Sequence, residues 1–314
     1  MLRLTVCLFL VATSVVAAAS IIQTPPREAI TGRWDLTIRD GQNEYPSWLE
    51  INEKADTLTG RFVSRRGEAG PLSTVRIDGD RIGFVFNNED EKQSGLHFTG
   101  RVQGDRMSGT LSEAGKKFHW SAVRAPSLVR STLPRWGKPI ALLNGKDLRG
   151  WKSFPAGKPS RWEARENVLF NAGSGAGLVT LQTFDDFRLH LEFKIEPGSD
   201  SGVYLRGRYE IEIEDSFGKS PSTHLLGSIY GFLSPTSLPA KRAGEWQTID
   251  ATLVGRTITV VLNGETIISE QEIPGITGGA LDSDEKSPGP IMLQGDYGQV
   301  SYRNIIITPA LGKR

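Results

Sequence analysis

Cysteine is almost absent. The 314-residue chain has one, Cys7, and it lies in an N-terminal apolar run that reads as a removable leader. The mature chain then has no disulfide, no thiol nucleophile and no cysteine-ligated zinc. A surplus of either charge is missing too. Without Arg3 the basic and acidic side chains balance at 36 each. This gives no electrostatic reason to expect nucleic acid or an anionic membrane as partner. Amphipathic helical periodicity is scarce, and no long apolar run follows the first twenty residues. No G-x-S-x-G elbow, H-E-x-x-H pair or G-x-x-x-x-G-K loop occurs. Serine-hydrolase, zinc-protease and P-loop chemistry therefore lack support.

What is present begins with Arg3, an apolar run from Leu4 to Leu10 continuing through Val15 and Val16, and Ala17-Ala18-Ala19. This order is that of a secretory signal peptide, residues 1–19, cleaved near Ala19. It predicts a secreted or periplasmic protein with no membrane contact after cleavage. Ser20–Ala29 follows as a leader containing Pro25-Pro26. About 295 residues remain, enough for two domains with their own cores. The 35 glycines and the shortage of helical pattern point to β-structure rich in turns.

Residues 30–124 read as about eight short strands separated by Gly, Asp and Asn turns. Trp34, Leu36 and Ile38 alternate with polar residues, as do Ile82, Phe84 and Phe86, then Phe118, Trp120 and Ala122. Regular short strands at this spacing predict a small antiparallel barrel or sandwich, of which the barrel is the expected form. Gly32-Arg33-Trp34 resembles the start of lipocalin-type barrels. Residues 125–137, with Pro126, Pro134 and Gly137, form a linker. From 138 to 309 the chain is again β-rich. Phe187, Leu189, Leu191, Phe193 and Ile195 alternate with Arg188, His190, Glu192 and Lys194, the pattern of a half-buried strand. Asn263-Gly264 between two β-runs predicts a type I′ hairpin. The expected architecture of this second domain is a two-sheet sandwich, so the whole chain is all-β.

The fragment SDSGVYLRGRYEIEIEDS, residues 199–216, carries the chemistry. Glu210, Glu212 and Glu214 share one strand face, and Ile211 and Ile213 share the other. Val203 and Leu205 join the apolar side. A loop at 207–209 would set Arg206 opposite Glu210 and Tyr204 opposite Glu212, with both apolar sets buried. A two-residue Gly207-Arg208 turn would bury carboxylates instead. Acids adjacent on one strand face have Cα atoms about 7 Å apart, so mutual repulsion raises at least one pKa. One protonated and one ionised carboxyl is what general acid/base chemistry requires. A solvated acidic face balanced by cross-strand cations is the alternative.

Several blocks then resemble a known family, the 3-keto-disaccharide hydrolase domain. They are LLNGKDLRGW at 142–151, followed in order by SGVYLRG, YEIEIEDS, GSIYG, GEWQTID, TITVVLNGETII, GPIMLQGDYG and YRNIIITP. The resemblance covers residues 138–309 and implies a concanavalin A-like jelly roll. It also implies cleavage of glycosides already oxidised at C3. A 3-keto group acidifies the C2 hydrogen, so a base can form an enolate and the C1 substituent leaves by elimination, with water adding afterwards. Such a site needs a base, donors to the enolate oxygen and an acid for the leaving group.

Carried over by position, Glu210 matches the family's strand acid. Arg206, Tyr230 and Gln294 match the LRG, IYG and LQ blocks, and Asp215 matches a common aspartate. Glu212 stands where glutamine is frequent. Tyr297 stands where relatives have histidine between aspartate and glycine. The expected roles are Glu210 as base, Arg206 orienting it or holding the enolate oxygen, and Tyr297 or Glu212, where the chain departs from the family, as proton donor. Tyr204, Tyr230, Gln294, Asp215 and the loop residue His224 are expected to contact substrate. No redox cofactor is implied, since a separate enzyme would oxidise C3. Asp282-Ser283-Asp284-Glu285 has oxygen ligands at alternate positions, a pattern that structural calcium uses and that a solvated turn shares. His190, His97 and His119 read as structural or surface residues. The competing function is a lectin-like, non-catalytic carbohydrate-binding module, because fold alone does not fix activity.

Overall fold

The computed structural model describes residues 30–64, 67, 69–87 and 95–312. The expected signal peptide lies outside the described residues. Among these residues there is no helix, and all regular structure is strand.

Eight antiparallel strands close into a barrel. They are β1 (Gly32–Asp40), β2 (Asn43–Lys54), β3 (Thr57–Val63), β4 (Ala69–Asp78), β5 (Arg81–Phe86), β6 (Leu96–Gln103), β7 (Arg106–Glu113) and β8 (Lys116–Arg124). Closure comes from β1 against β8, with Leu36 opposite Ala122 and Ile38 opposite Trp120. The inward residues of each strand fill the interior. Phe84 stacks on Phe98 at 4.3 Å, and Phe62 packs against Phe98 at 5.0 Å. Trp34 and Trp120 belong to the same core. An interior filled by aromatic rings stabilises the barrel as a packed body.

The rest of the chain forms two sheets. The first strands are β9 (Ile140–Ala141), β10 (Trp151–Phe154), β11 (Trp162–Arg165), β12 (Val168–Ala172), β13 (Gly177–Thr180) and β14 (Phe187–Ile195). Then come β15 (Asp200–Leu205), β16 (Tyr209–Glu214), β17 (Gln247–Val254), β18 (Thr257–Leu262), β19 (Glu265–Glu272), β20 (Met292–Leu293) and β21 (Gln299–Pro309). Five strands run β10-β13-β20-β15-β16. The other sheet runs β11-β12-β21-β14-β17-β18-β19, with β9 paired to β21. Inward residues of both sheets, among them Phe193, Leu189, Val203 and Ile211, meet in one core. The alternation read in β14 is realised, with Phe187, Leu189, Leu191, Phe193 and Ile195 all buried. Asn263 and Gly264 both have positive φ, +50° and +85°, as a type I′ turn requires.

One outward row of the barrel faces this second core. Asp35 pairs with Trp48, and Trp48 with Val63, across β1, β2 and β3. Trp48 and Val63 are fully buried in the core of the two sheets, not in the barrel's own. Trp48 meets Phe232 edge-on at 5.2 Å. Arg33 bonds Glu272 at 2.6 Å, and Thr37 meets Ser283 at 2.9 Å.

Each carboxylate of the 282–285 loop accepts from a protein donor. Arg208 takes Asp282 at 2.7 Å. Arg256 and the Tyr209 hydroxyl bond Glu285 at 2.9 and 2.7 Å. Asp284 accepts from the Ser287 hydroxyl at 2.6 Å. Among the described residues no group of three or more His, Asp or Glu is placed to hold a metal ion.

Candidate active site

The hairpin β15–β16 positions the carboxylates. Its register sets Tyr204 opposite Glu210, Gly202 opposite Glu212 and Asp200 opposite Glu214. The connecting loop is therefore 206–208, not 207–209. The loop slides by one residue and each partner by two, so every side chain keeps its expected face while its partner changes. Arg206 is the residue displaced. It sits in the loop at φ +54°, beside Gly207 at +66°. Its guanidinium bonds the carbonyls of Glu285 and Ser287, lies 3.6 Å from Asp185 and approaches the Tyr209 ring at 6.0 Å. None of these partners belongs to the carboxylate row. The expected pairing of Arg206 with Glu210 is thus corrected: Arg206 anchors the loop to 285–287.

Tyr204 takes the place expected of Arg206, and its hydroxyl hydrogen-bonds Glu210. Gly202 makes room for that carboxyl, since a Cβ there would lie 2.1 Å from Glu210 Oε1. Thr277 Oγ1 accepts the Glu210 N–H at 3.1 Å. The outer edge of β16 is covered by 227–230. Tyr230 N–H donates to the Glu210 carbonyl at 3.1 Å, and Glu212 N–H to the Ser228 carbonyl at 3.1 Å.

Glu210 and Glu212 are only 4% and 3% exposed, and burial governs their protonation. Burial pushes Glu210 up to about 8. The Tyr204 hydrogen bond opposes this, and the charges of Asp200 and Asp296 add to it. Burial, then the charges of Glu210 and Asp200, hold Glu212 well above the usual carboxylate range. Asp200 rises to about 6, mainly by burial and despite a hydrogen bond from Glu212. Near neutral pH the face thus holds an ionised Asp200 accepting the proton of Glu212, beside Glu210, which changes charge just above neutrality. Two carboxyls with separated proton affinities side by side make an acid/base pair.

The other expected residues divide. Gln294 lies beside this face, its N–H donating to the Gly202 carbonyl at 2.9 Å, and its buried Oε1 has no hydrogen-bond partner among the described residues. Tyr230 borders Glu210 and meets the His224 ring edge-on at 5.2 Å, so His224 stands one residue further out. Tyr297 is 62% exposed and follows Asp296 at the rim. Asp215 is not on the face. β16 ends at Glu214, and Asp215 Oδ2 instead accepts the Gly198 N–H at 3.1 Å. Asp200 and Asp296 were not foreseen. For Asp200 the signal was available, because the alternation through Tyr204 and Gly202 continues to it.

A family model described as the 3-keto-alpha-glucoside-1,2-lyase-like domain matches residues 138–308. The chain belongs to this family. A curated relative, the 3-keto-disaccharide hydrolase of Bacteroides thetaiotaomicron, is 22% identical over 166 residues. That match covers 41% of this chain, and the chain spans 57% of the relative's length. Two solved proteins of Parabacteroides distasonis, provisionally named glycosyl hydrolases, are also similar. One is 27% identical with a TM-score of 0.48, covering 55% of this chain and 84% of the other. The second is 25% identical with a TM-score of 0.44, covering 56% and 100%. The lyase-like domain contains both sheets and the whole carboxylate face.

Proposed function

We propose that the protein cleaves glycosides oxidised at C3, by removing the C2 proton and expelling the C1 substituent, with water adding to give net hydrolysis. Family membership supports this class of substrate, and the name of the Bacteroides relative points the same way. The observation that carries the mechanism is the Tyr204–Glu210 pair beside Glu212–Asp200.

Ionised Glu210 takes the C2 proton, and the C2–H electron pair becomes the enolate. The enolate re-forms a carbonyl as the C1–O bond breaks, leaving a double bond between C1 and C2. Glu212 gives its proton to the departing oxygen, and Asp200 takes up the hydrogen-bond adjustment. Water then adds at C1, passing a proton to Glu212, while Glu210 returns its proton to C2. Tyr230 and Gln294 border the place the sugar would occupy, with Tyr297 and His224 further out. Arg206 has no direct part in this scheme, because its guanidinium is engaged elsewhere. We read the paired sheets as a concanavalin A-like jelly roll, and the Arg3–Ala19 pattern as an export signal.

Incubation with 3-keto-trehalose or 3-keto-lactose tests the function, with release of free glucose expected. Binding of the keto-sugar without release would make the protein a carbohydrate-binding module instead. Glu210→Gln is expected to lower turnover by about 100-fold or more. Full activity in that variant would remove Glu210 from the base role.

A further inference from the structure

The segment Ile273–Leu281 lies between the barrel and the carboxylate face, with backbone contacts on both sides. Towards the barrel, a Cβ on Gly275 would lie 2.1 Å from Trp48 Nε1, and one on Gly278 would lie 1.8 Å from the Gly67 Cα. Towards the site, a Cβ on Gly279 would lie 2.4 Å from the Tyr204 hydroxyl oxygen. Between them, Thr277 Oγ1 holds the Glu210 N–H at 3.1 Å and donates to the Arg208 carbonyl at 3.1 Å. A second route leaves the same point of the barrel. A Cβ on Gly67 would lie 3.1 Å from Cε1 of Tyr230, and Tyr230 N–H bonds the Glu210 carbonyl at 3.1 Å. Both routes end on Glu210, one through its backbone N–H and its Tyr204 partner, the other through its carbonyl.

We propose that the barrel is a working part of the active site: through Trp48 and Gly67 it fixes Thr277–Gly279 and Tyr230, and these position Tyr204 and Glu210 for proton transfer. Trp48 suits this task because it faces outward and belongs to the core of the two sheets. Three glycines allow backbone to approach indole, backbone and hydroxyl with no flexible side chain between them. A displacement of the barrel is then transmitted to Glu210 instead of being absorbed. Trp48, Gly67, Gly275 and Gly278 are positioning residues. In its reference to proton transfer the proposal rests on the function argued above.

Gly278→Ala tests it. Gly278 has no positive φ, so its φ does not exclude alanine, and the atoms nearest to the added methyl group are those of Gly67. Trp48→Phe is the second variant, acting at Gly275. Arg33→Ala is the control, since it loosens the same interface at Glu272 without touching the segment. The first readout is the titration of the Glu210 carboxyl by carbon NMR in glutamate-labelled protein, with the signal assigned by its loss in Glu210→Gln. The groups that act on this titration are Tyr204, Asp200, Asp296 and Glu212.

The expected result is a displaced Glu210 midpoint in Gly278→Ala and Trp48→Phe, with the wild-type midpoint kept in Arg33→Ala. On a 3-keto-glycoside, kcat should fall by tenfold or more, as roughly ångström-scale misplacement of a catalytic group does, with KM little changed. An unmoved midpoint in both variants, even with a lower melting temperature, would overturn the proposal. So would an equal shift in Arg33→Ala, because any loosening of the interface would then suffice. If the wild-type protein leaves 3-keto-glycosides intact, the proposed function fails. The titration still decides whether the barrel positions Glu210.

Discussion

At the scale of single residues, the site depends on how burial sets proton affinities. Burial holds Glu210 near 8 and Glu212 well above the usual carboxylate range. For a base that must be ionised and an acid that must be protonated, the rate rises as Glu210 loses its proton and falls as Glu212 does. The profile of kcat against pH on a 3-keto-glycoside should therefore rise through about 8. Asp296 contributes part of that elevation through its negative charge. Asp296→Asn should move the rising limb to lower pH, and an unmoved limb would separate the rate from Glu210. Gly202→Ala is expected to lower kcat strongly with little effect on folding, because its Cβ would meet Glu210 Oε1 at 2.1 Å. The check is kcat alongside the melting temperature.

At the scale of elements, the hairpin β15–β16 shows what a sequence can and cannot carry. Which face each side chain takes was legible, because burying Ile211 and Ile213 while keeping charge off the core fixes the parity. The eight short strands of the barrel and the Asn263-Gly264 turn were legible for the same local reasons. The partner of Glu210 was not. It depends on Arg206 adopting a left-handed conformation, held there by carbonyls of Glu285 and Ser287 some eighty residues later in the chain. The outward row of Asp35, Trp48 and Val63 was equally hidden, since its partners lie beyond residue 200. Arg206 is fully buried, so its loss leaves two carbonyls and the hairpin loop without support. Arg206→Ala should cost about 3 kcal/mol or more of stability. Thermal and urea unfolding measure this, and an activity loss at unchanged stability would return Arg206 to the chemistry.

At the scale of the whole molecule, the two β-bodies meet across a buried charged contact whose protonation links pH to stability. Asp35 is 3% exposed and stands among Glu285, Arg256 and Arg208. Burial is the main cause of its rise to about 9. The charge of Glu285 and a hydrogen bond to it add to the rise, and the two arginines oppose it. In the folded protein Asp35 therefore keeps its proton and shares it with Glu285, whereas in the unfolded chain it ionises near 3.8. Between those values the folded state binds the extra proton, so stability falls as pH rises across the window and levels off above about 9. Glu210 and Glu212 act in the same direction. Glu50 acts in the opposite one: Arg61 and Arg33 hold it below its usual value against the cost of burial. The total profile is thus a sum of opposed terms, and a difference measurement isolates Asp35. Asparagine keeps an N–H donor for Glu285 and has no proton to lose. The stability of Asp35→Asn relative to wild type should increase steadily from about pH 4 to about pH 9 and then stay constant. Urea midpoints at a series of pH values read this out. Parallel curves for the two proteins would show that Asp35 is not the group linking pH to the contact between barrel and sheets.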